Sequence, residues 1–167
     1  MTRLIHDAKT IEARVCVLAR EISAAYAGRE LYVVCLINGA TTFCADLVRQ
    51  ISVPVYQLAL GFSSYSGSPR SGEVRVTLDV SEPLQGRHVL VVEGIVVSGR
   101  TPKYVLDMLR LRQPASLEMC ALGLKPKALA VDLGIRYVAF EFGDEIAVGY
   151  GVGKGPERTC PDLVDER

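Results

Sequence analysis

At 167 residues, 49% apolar and 23% charged, the chain has the size and balance of one globular domain spanning residues 1–167. Its 19 basic and 19 acidic residues cancel, which argues against a nucleic-acid partner held through a basic face. No apolar stretch approaches the ~20 residues needed to cross a membrane, and five cysteines without a C-x-x-C pair indicate free thiols of a cytoplasmic protein, not a disulfide framework or a zinc site.

In chain order, Ile11, Val15, Leu18, Ile22 and Tyr26 recur every three or four residues and predict an amphipathic helix over 8–27, stopped by Gly28. ELYVVCLI (30–37) is an unbroken run of β-formers, the mark of a strand covered on both faces. Phe43, Leu47, Val48 and Ile51 predict a second helix, and VPVYQLAL (53–60) a second strand. Gly, Ser and Pro dominate 61–72, GFSSYSGSPRSG, which reads as a long mobile loop. Strands over about 73–79 and 88–93 follow, then a helix from Pro102 to about Arg112, with proline suited to its first position. ASLEMCALGL (115–124) and YVAFEF (137–142) predict the remaining strands. The alternation predicts an α/β fold with a parallel-type sheet flanked by helices, whose ligands bind beyond the carboxyl ends of the strands.

Four loops follow strands at that end: NGATT, SSYSGS, EGIVVSGRT and KPKA. The third is the best anion site. Ser98, Gly99, Arg100 and Thr101 offer successive main-chain N–H groups at a helix start, with two hydroxyls and a cation beside them. The same residues fit a plain strand-to-helix turn with Thr101 as N-cap equally well. Neither the Walker pattern nor the dinucleotide fingerprint is present. No Ser/His/Asp triad is suggested: His6 and His88 are the only histidines, and both read as bystanders.

VLVVEGIVVSGRT (89–101) resembles the phosphoribosyl-diphosphate (PRPP) motif of type I phosphoribosyltransferases: a hydrophobic run, two acids, two hydrophobics, Asp-Thr-Gly, and a basic residue before Thr. The wider resemblance is to the hypoxanthine-guanine phosphoribosyltransferase family and covers about residues 30–152 in order. LYVVCLINGATTFCADLVRQI resembles its first strand, diphosphate loop and following helix; SSYSGSPRSGEVRV its mobile Ser-Tyr loop; CALGLKPKA the segment bearing its purine-reading lysine; YVAFEFGDEIAVGYG its base pocket. The resemblance implies the type I fold with a small hood from the chain's two ends, and a homo-oligomer. It also implies a reaction in which guanine or hypoxanthine and PRPP, clamped by Mg²⁺, give GMP or IMP and diphosphate.

Carried residue by residue, the resemblance implies phosphate binding by Ser98, Gly99, Arg100 and Thr101, ribose binding by Glu93, and purine binding by Lys125, Ile146 and Ala147. It makes Asn38 and Gly39 the diphosphate loop, and Ser64 and Tyr65 the mobile loop. Several active positions depart from the family. Gly94 replaces the second acid, Val97 the aspartate that assists proton removal, Asn38 the diphosphate-loop lysine, Ile146 the stacking aromatic and Gly153 a metal-binding aspartate. No catalytic acid or base is therefore assigned and no protein metal ligand is expected, with Mg²⁺ required only if the chain turns over. The retained groups recognise a 6-oxopurine nucleoside monophosphate; the depleted ones handle metal, diphosphate and the proton. Two expectations follow: a salvage enzyme with weak or lost activity, or a GMP/IMP-binding sensor or partner-binding module.

Overall fold

The computed structural model describes residues 2–64 and 74–167. Its main sheet has six strands in the order β4-β3-β2-β5-β6-β7: β2 (Leu31–Ile37), β3 (Val55–Ser64), β4 (Val74–Leu78), β5 (His88–Val96), β6 (Ser116–Leu124) and β7 (Tyr137–Glu141). Every neighbouring pair is parallel except β3 with β4, which is antiparallel, so the sheet is mixed. Period-2 alternation sorts the central strands cleanly. Val33, Cys35, Leu90, Val92, Cys120 and Leu122 face one core, under α1 (Ala8–Ala25) and α2 (Thr41–Gln50). Tyr32, Val34, Val89, Val91, Met119 and Ala121 face the other, under α3 (Arg100–Arg110). Strands buried on both sides explain the unbroken apolar runs of the sequence.

β3 lies on one side of β2 and β5 on the other, so the sheet reverses its winding between β2 and β5. The helices that follow those two strands leave to opposite faces, and a crevice opens at their carboxyl ends. A second sheet of three strands, β1 (Arg3–His6), β9 (Leu163–Asp165) and β8 (Ala147–Val148), joins the two ends of the chain into a hood. The tail is thus ordered by antiparallel pairing of β9 to both β1 and β8. All five cysteines are free thiols. Among the described residues no helix is long and apolar enough to cross a membrane.

Three predicted boundaries are corrected. The loop expected from residue 61 begins later, because β3 continues to Ser64 against β4. A register shift at Gly61 permits it: a Cβ there would lie 2.9 Å from Thr77 Oγ1, so only glycine lets the paired strands close. Tyr65 and the rest of that predicted loop, to residue 72, lie outside the described residues. β5 runs three residues past Glu93, to Val96, because Glu93, Ile95 and Val96 pair with Ala121, Gly123 and Leu124. Finally, α3 starts at Arg100 rather than Pro102, and its N-cap is Gly99 in the left-handed region, not Thr101. Pro102 is still tolerated, because first-turn amides have no intrahelical acceptor to lose.

Candidate functional site

β5 delivers its last residues into the crevice and ends in a turn that only glycine can make. Gly99 has φ +77°, and a Cβ there would meet Leu133 Cδ1 at 2.9 Å and Leu129 Cδ2 at 3.2 Å. The carbonyls of this turn are held from behind: Lys125 N–H donates to Val96 O and Ala130 N–H to Ser98 O, each at 3.0 Å. Its amides face forward. Arg100 N–H reaches Ser98 Oγ only at 3.5 Å, and among the described residues the Gly99 and Thr101 amides have no carbonyl partner. Fixed carbonyls and amides without carbonyl partners at a helix start are an arrangement able to receive an anion.

A cavity of about 340 Å³ opens on this turn, lined by Ser98, Gly99, Thr101, Glu93, Val97 and Gly39 with their neighbours. A second, of about 300 Å³, is lined by Lys125, Ile146, Ala147, Val152, Gly153 and again Gly39, Glu93, Ile95 and Val97. The shared wall makes the pair one elongated site, with the amide turn at one end and Lys125 at the other. Lys125 donates from Nζ to Glu145 O at 2.5 Å, which draws its ammonium to the rim beside Ile146. Apart from Lys125 and Glu93 the described wall of the second cavity is made of aliphatic side chains and glycine, and Ile146 in it is half exposed.

Among the described residues Glu93 is the only carboxylate in either wall. Burial pushes its carboxyl up to about 7, and the Gly94 N–H that donates to its Oε1 at 2.7 Å opposes that rise. Not every predicted residue joins the site. Arg100 is exposed at the first turn of α3 and lines neither cavity. Asn38 turns away into a separate cleft of about 1080 Å³ between α1, α2 and the hood, while Gly39 lines both site cavities. Ser64 ends β3, and Tyr65 is outside the described residues.

Two residues of the hood shape the site: Asp165, missed in the sequence, and Arg158, at which the resemblance leaves open a late diphosphate-contacting arginine. Buried Asp165 accepts from Ile146 N–H at 3.0 Å and from Arg167, which holds its carboxyl well below the usual range and fixes the Ile146 wall. Arg158 donates to Gly151 O at 2.6 Å and to Asn38 O at 2.9 Å, tying the hood to the loop after β2. Neither carries a local sequence signal, because each acts on main chain far away in the sequence.

A reversing α/β sheet, an amide turn at its switch point and a hood drawn from both chain ends define the type I phosphoribosyltransferase architecture. The profile of the phosphoribosyl transferase domain family matches residues 2–153. The chain is 40% identical over 146 residues to the hypoxanthine phosphoribosyltransferase of Haemophilus influenzae, covering 85% of this chain and 82% of that protein. It is 39% identical over 152 residues to the hypoxanthine-guanine phosphoribosyltransferase of Mycobacterium avium, covering 87% and 75%. A crystal structure of a hypoxanthine-guanine phosphoribosyltransferase from Bacillus anthracis superposes with a TM-score of 0.91 at 31% identity, over 98% of this chain and 96% of that one. The chain belongs to the hypoxanthine-guanine phosphoribosyltransferase family.

Enzymes of this family use Mg²⁺, but the residues of this site do not fit a protein-held ion. Among the described residues no group of three or more His, Cys, Asp or Glu side chains could hold a metal. Glu93 stands alone, and a Cβ at Gly94 would lie 2.9 Å from the main-chain oxygen of Gly39, leaving no room for a second carboxylate.

Proposed function

We propose that the chain binds a 6-oxopurine nucleoside monophosphate, GMP or IMP, along the joined cavities. The 5′-phosphate lies on the Ser98–Thr101 amides, the ribose against Glu93, and the base between Ile146 and Ile95 with its 6-oxo group toward Lys125. The family's reaction, in which guanine or hypoxanthine and PRPP yield the nucleotide and diphosphate, runs slowly or not at all. The observation that supports this reading is the shared wall of the two cavities: among the described residues Glu93 is its single acid, and Val97, at the position the resemblance gives to the proton-removing aspartate, lines both cavities. A positioned acid or base is worth about 10²–10⁴ in rate, and valine cannot replace one.

The test is a steady-state assay of diphosphate release with guanine or hypoxanthine, saturating PRPP and Mg²⁺. The expected turnover is below about 0.1 s⁻¹, against a typical enzyme's ~10 s⁻¹. Turnover at the typical rate overturns the claim of impaired chemistry. Binding of GMP with no turnover makes the chain a nucleotide-responsive module, the reading that the packing of Gly39 against Gly94 favours.

A further inference from the structure

We infer that Asp165 is a positioning residue for base recognition, acting on the Lys125 ammonium through the single peptide unit that joins Glu145 to Ile146. The inference rests on the nucleotide-binding reading above and adds to it the group that aims its lysine.

One peptide links the two side chains. Its N–H, on Ile146, donates to Asp165 Oδ1 at 3.0 Å, and its carbonyl, on Glu145, accepts from Lys125 Nζ at 2.5 Å. A peptide unit is planar, so its N–H and C=O point in opposite directions and turn only together. Whatever holds the N–H therefore aims the carbonyl. Hydrogen bonds in such a chain also polarise one another, and here a carboxylate stands at one end and an ammonium at the other.

The flanking groups are held as well. Ile146 O accepts from Glu166 N–H at 3.0 Å, so both main-chain polar groups of Ile146 are bound by successive residues at the end of the chain. Glu145 Oε2 accepts from Gly143 N–H at 2.7 Å, and its Oε1 lies 3.5 Å from Arg3 Nη2, which is itself 3.7 Å from Asp165 Oδ2. Arg167 Nη2 donates to the same Oδ2 at 2.7 Å. Asp165 is only 4% exposed, and a buried charge is costly unless it is paired and hydrogen-bonded. Even when paired, such a group adds little stability over a well-packed apolar residue. What it supplies here is one orientation of the 145–146 peptide.

The consequence falls at the base. Lys125 lines the second cavity together with Ile146 and Ala147. Its ammonium has three N–H donors, of which one is engaged by Glu145 O; two are left for a ligand, and their direction is set by the first. Without Asp165 the peptide loses one of the bonds that orient it, and a 6-oxo group meets a lysine that must first be ordered. The Ser98–Thr101 turn is held by the main-chain N–H groups of Lys125 and Ala130, which take no part in this relay. A ligand that offers a phosphate but no 6-oxo group should therefore not sense Asp165.

The test is calorimetry on the whole chain with GMP, AMP and ribose 5-phosphate, for the wild type, Asp165→Ala, Lys125→Ala and the double variant. Asp165→Ala should weaken GMP by about three- to tenfold, no more than Lys125→Ala does, and leave AMP and ribose 5-phosphate within about twofold. Asp165→Asn keeps an acceptor for Ile146 N–H without the charge and should fall between Asp165→Ala and the wild type. In the Lys125→Ala background, Asp165→Ala should weaken GMP no further, because its effect runs through the lysine. Additive losses in the double variant, or equal weakening of GMP and either control ligand, would show a merely structural role and overturn the inference while the nucleotide reading stands. Failure of the wild type to bind GMP overturns both. Should Asp165→Ala not fold, Asp165→Asn is carried through the same cycle and decides the question.

Discussion

Replacing Glu93 with glutamine isolates the electrostatic cost of the one acid the site retains. Burial pushes this carboxyl up to about 7, and the Gly94 N–H holds it down only in part. An unfolded chain's glutamate titrates near ~4.3. Between about pH 4.3 and 7 the folded protein therefore keeps a proton that the unfolded chain has released. Its contribution to stability is full below about pH 4.3 and declines as pH rises through that window. By about pH 8 the buried carboxylate costs on the order of 3 kcal/mol. Glutamine preserves the acceptor for Gly94 and does not titrate. In denaturant unfolding, Glu93→Gln should match the wild type at about pH 5 and exceed it by roughly 2–3 kcal/mol at about pH 8. His6, whose pKa burial lowers, acts with the opposite sign as pH falls through its ordinary range, and cancels because it is common to both proteins. The carboxyls of Asp79 and Asp165, lowered by Arg112 and Arg167, lose their contribution only at more acidic pH. A difference between the two proteins that stays flat from about pH 5 to 8 would refute the burial argument.

Three further substitutions probe the rest of the site. Lys125→Ala should weaken GMP and IMP by about tenfold, the value of a hydrogen bond from a charged donor, and AMP by much less; equal losses in a nucleotide titration would remove its role at the 6-oxo group. Gly99→Ala forces an L-residue into the left-handed region against Leu133 and should cost about 1–3 kcal/mol in thermal unfolding and weaken GMP binding; wild-type behaviour in both would mean the cradle does not need its geometry. Val97 is 47% exposed, so Val97→Asp is accommodated and should raise diphosphate release at least about tenfold. Joining Gly94→Asp to it should give no further gain and should lower stability, because the new side chain meets the Gly39 main chain. A double mutant faster than the single one contradicts that packing.

The main sheet was legible because burial on both faces writes itself as apolar runs: LYVVCLI and HVLVV are strands in sequence and in space. The amide turn was legible as well, through glycine and hydroxyl residues placed where a strand gives way to a helix. The cap was misread because Thr101 and Gly99 offer competing N-cap chemistries, and only the side chains of Leu129, Val131 and Leu133 packed against Gly99 exclude a Cβ there. The hood strands are two to four residues long, too short for any period to emerge, and β1 pairs with β9 across nearly the whole chain. Gly94 read in sequence as a lost acid. That it also makes room for the Gly39 main chain is a three-dimensional fact, as is the grip of Arg158 on Asn38 O from 120 residues away.

The account turns on the main-chain amides of Ser98–Thr101 gripping a nucleotide's phosphate with no help from a metal. Isothermal titration of the wild type with GMP in the presence of EDTA, with guanosine as the control ligand, tests this most directly. The account predicts saturable 1:1 binding of GMP, with guanosine weaker by at least about tenfold. Equal affinity for the two, or no GMP binding at millimolar concentration, would contradict it.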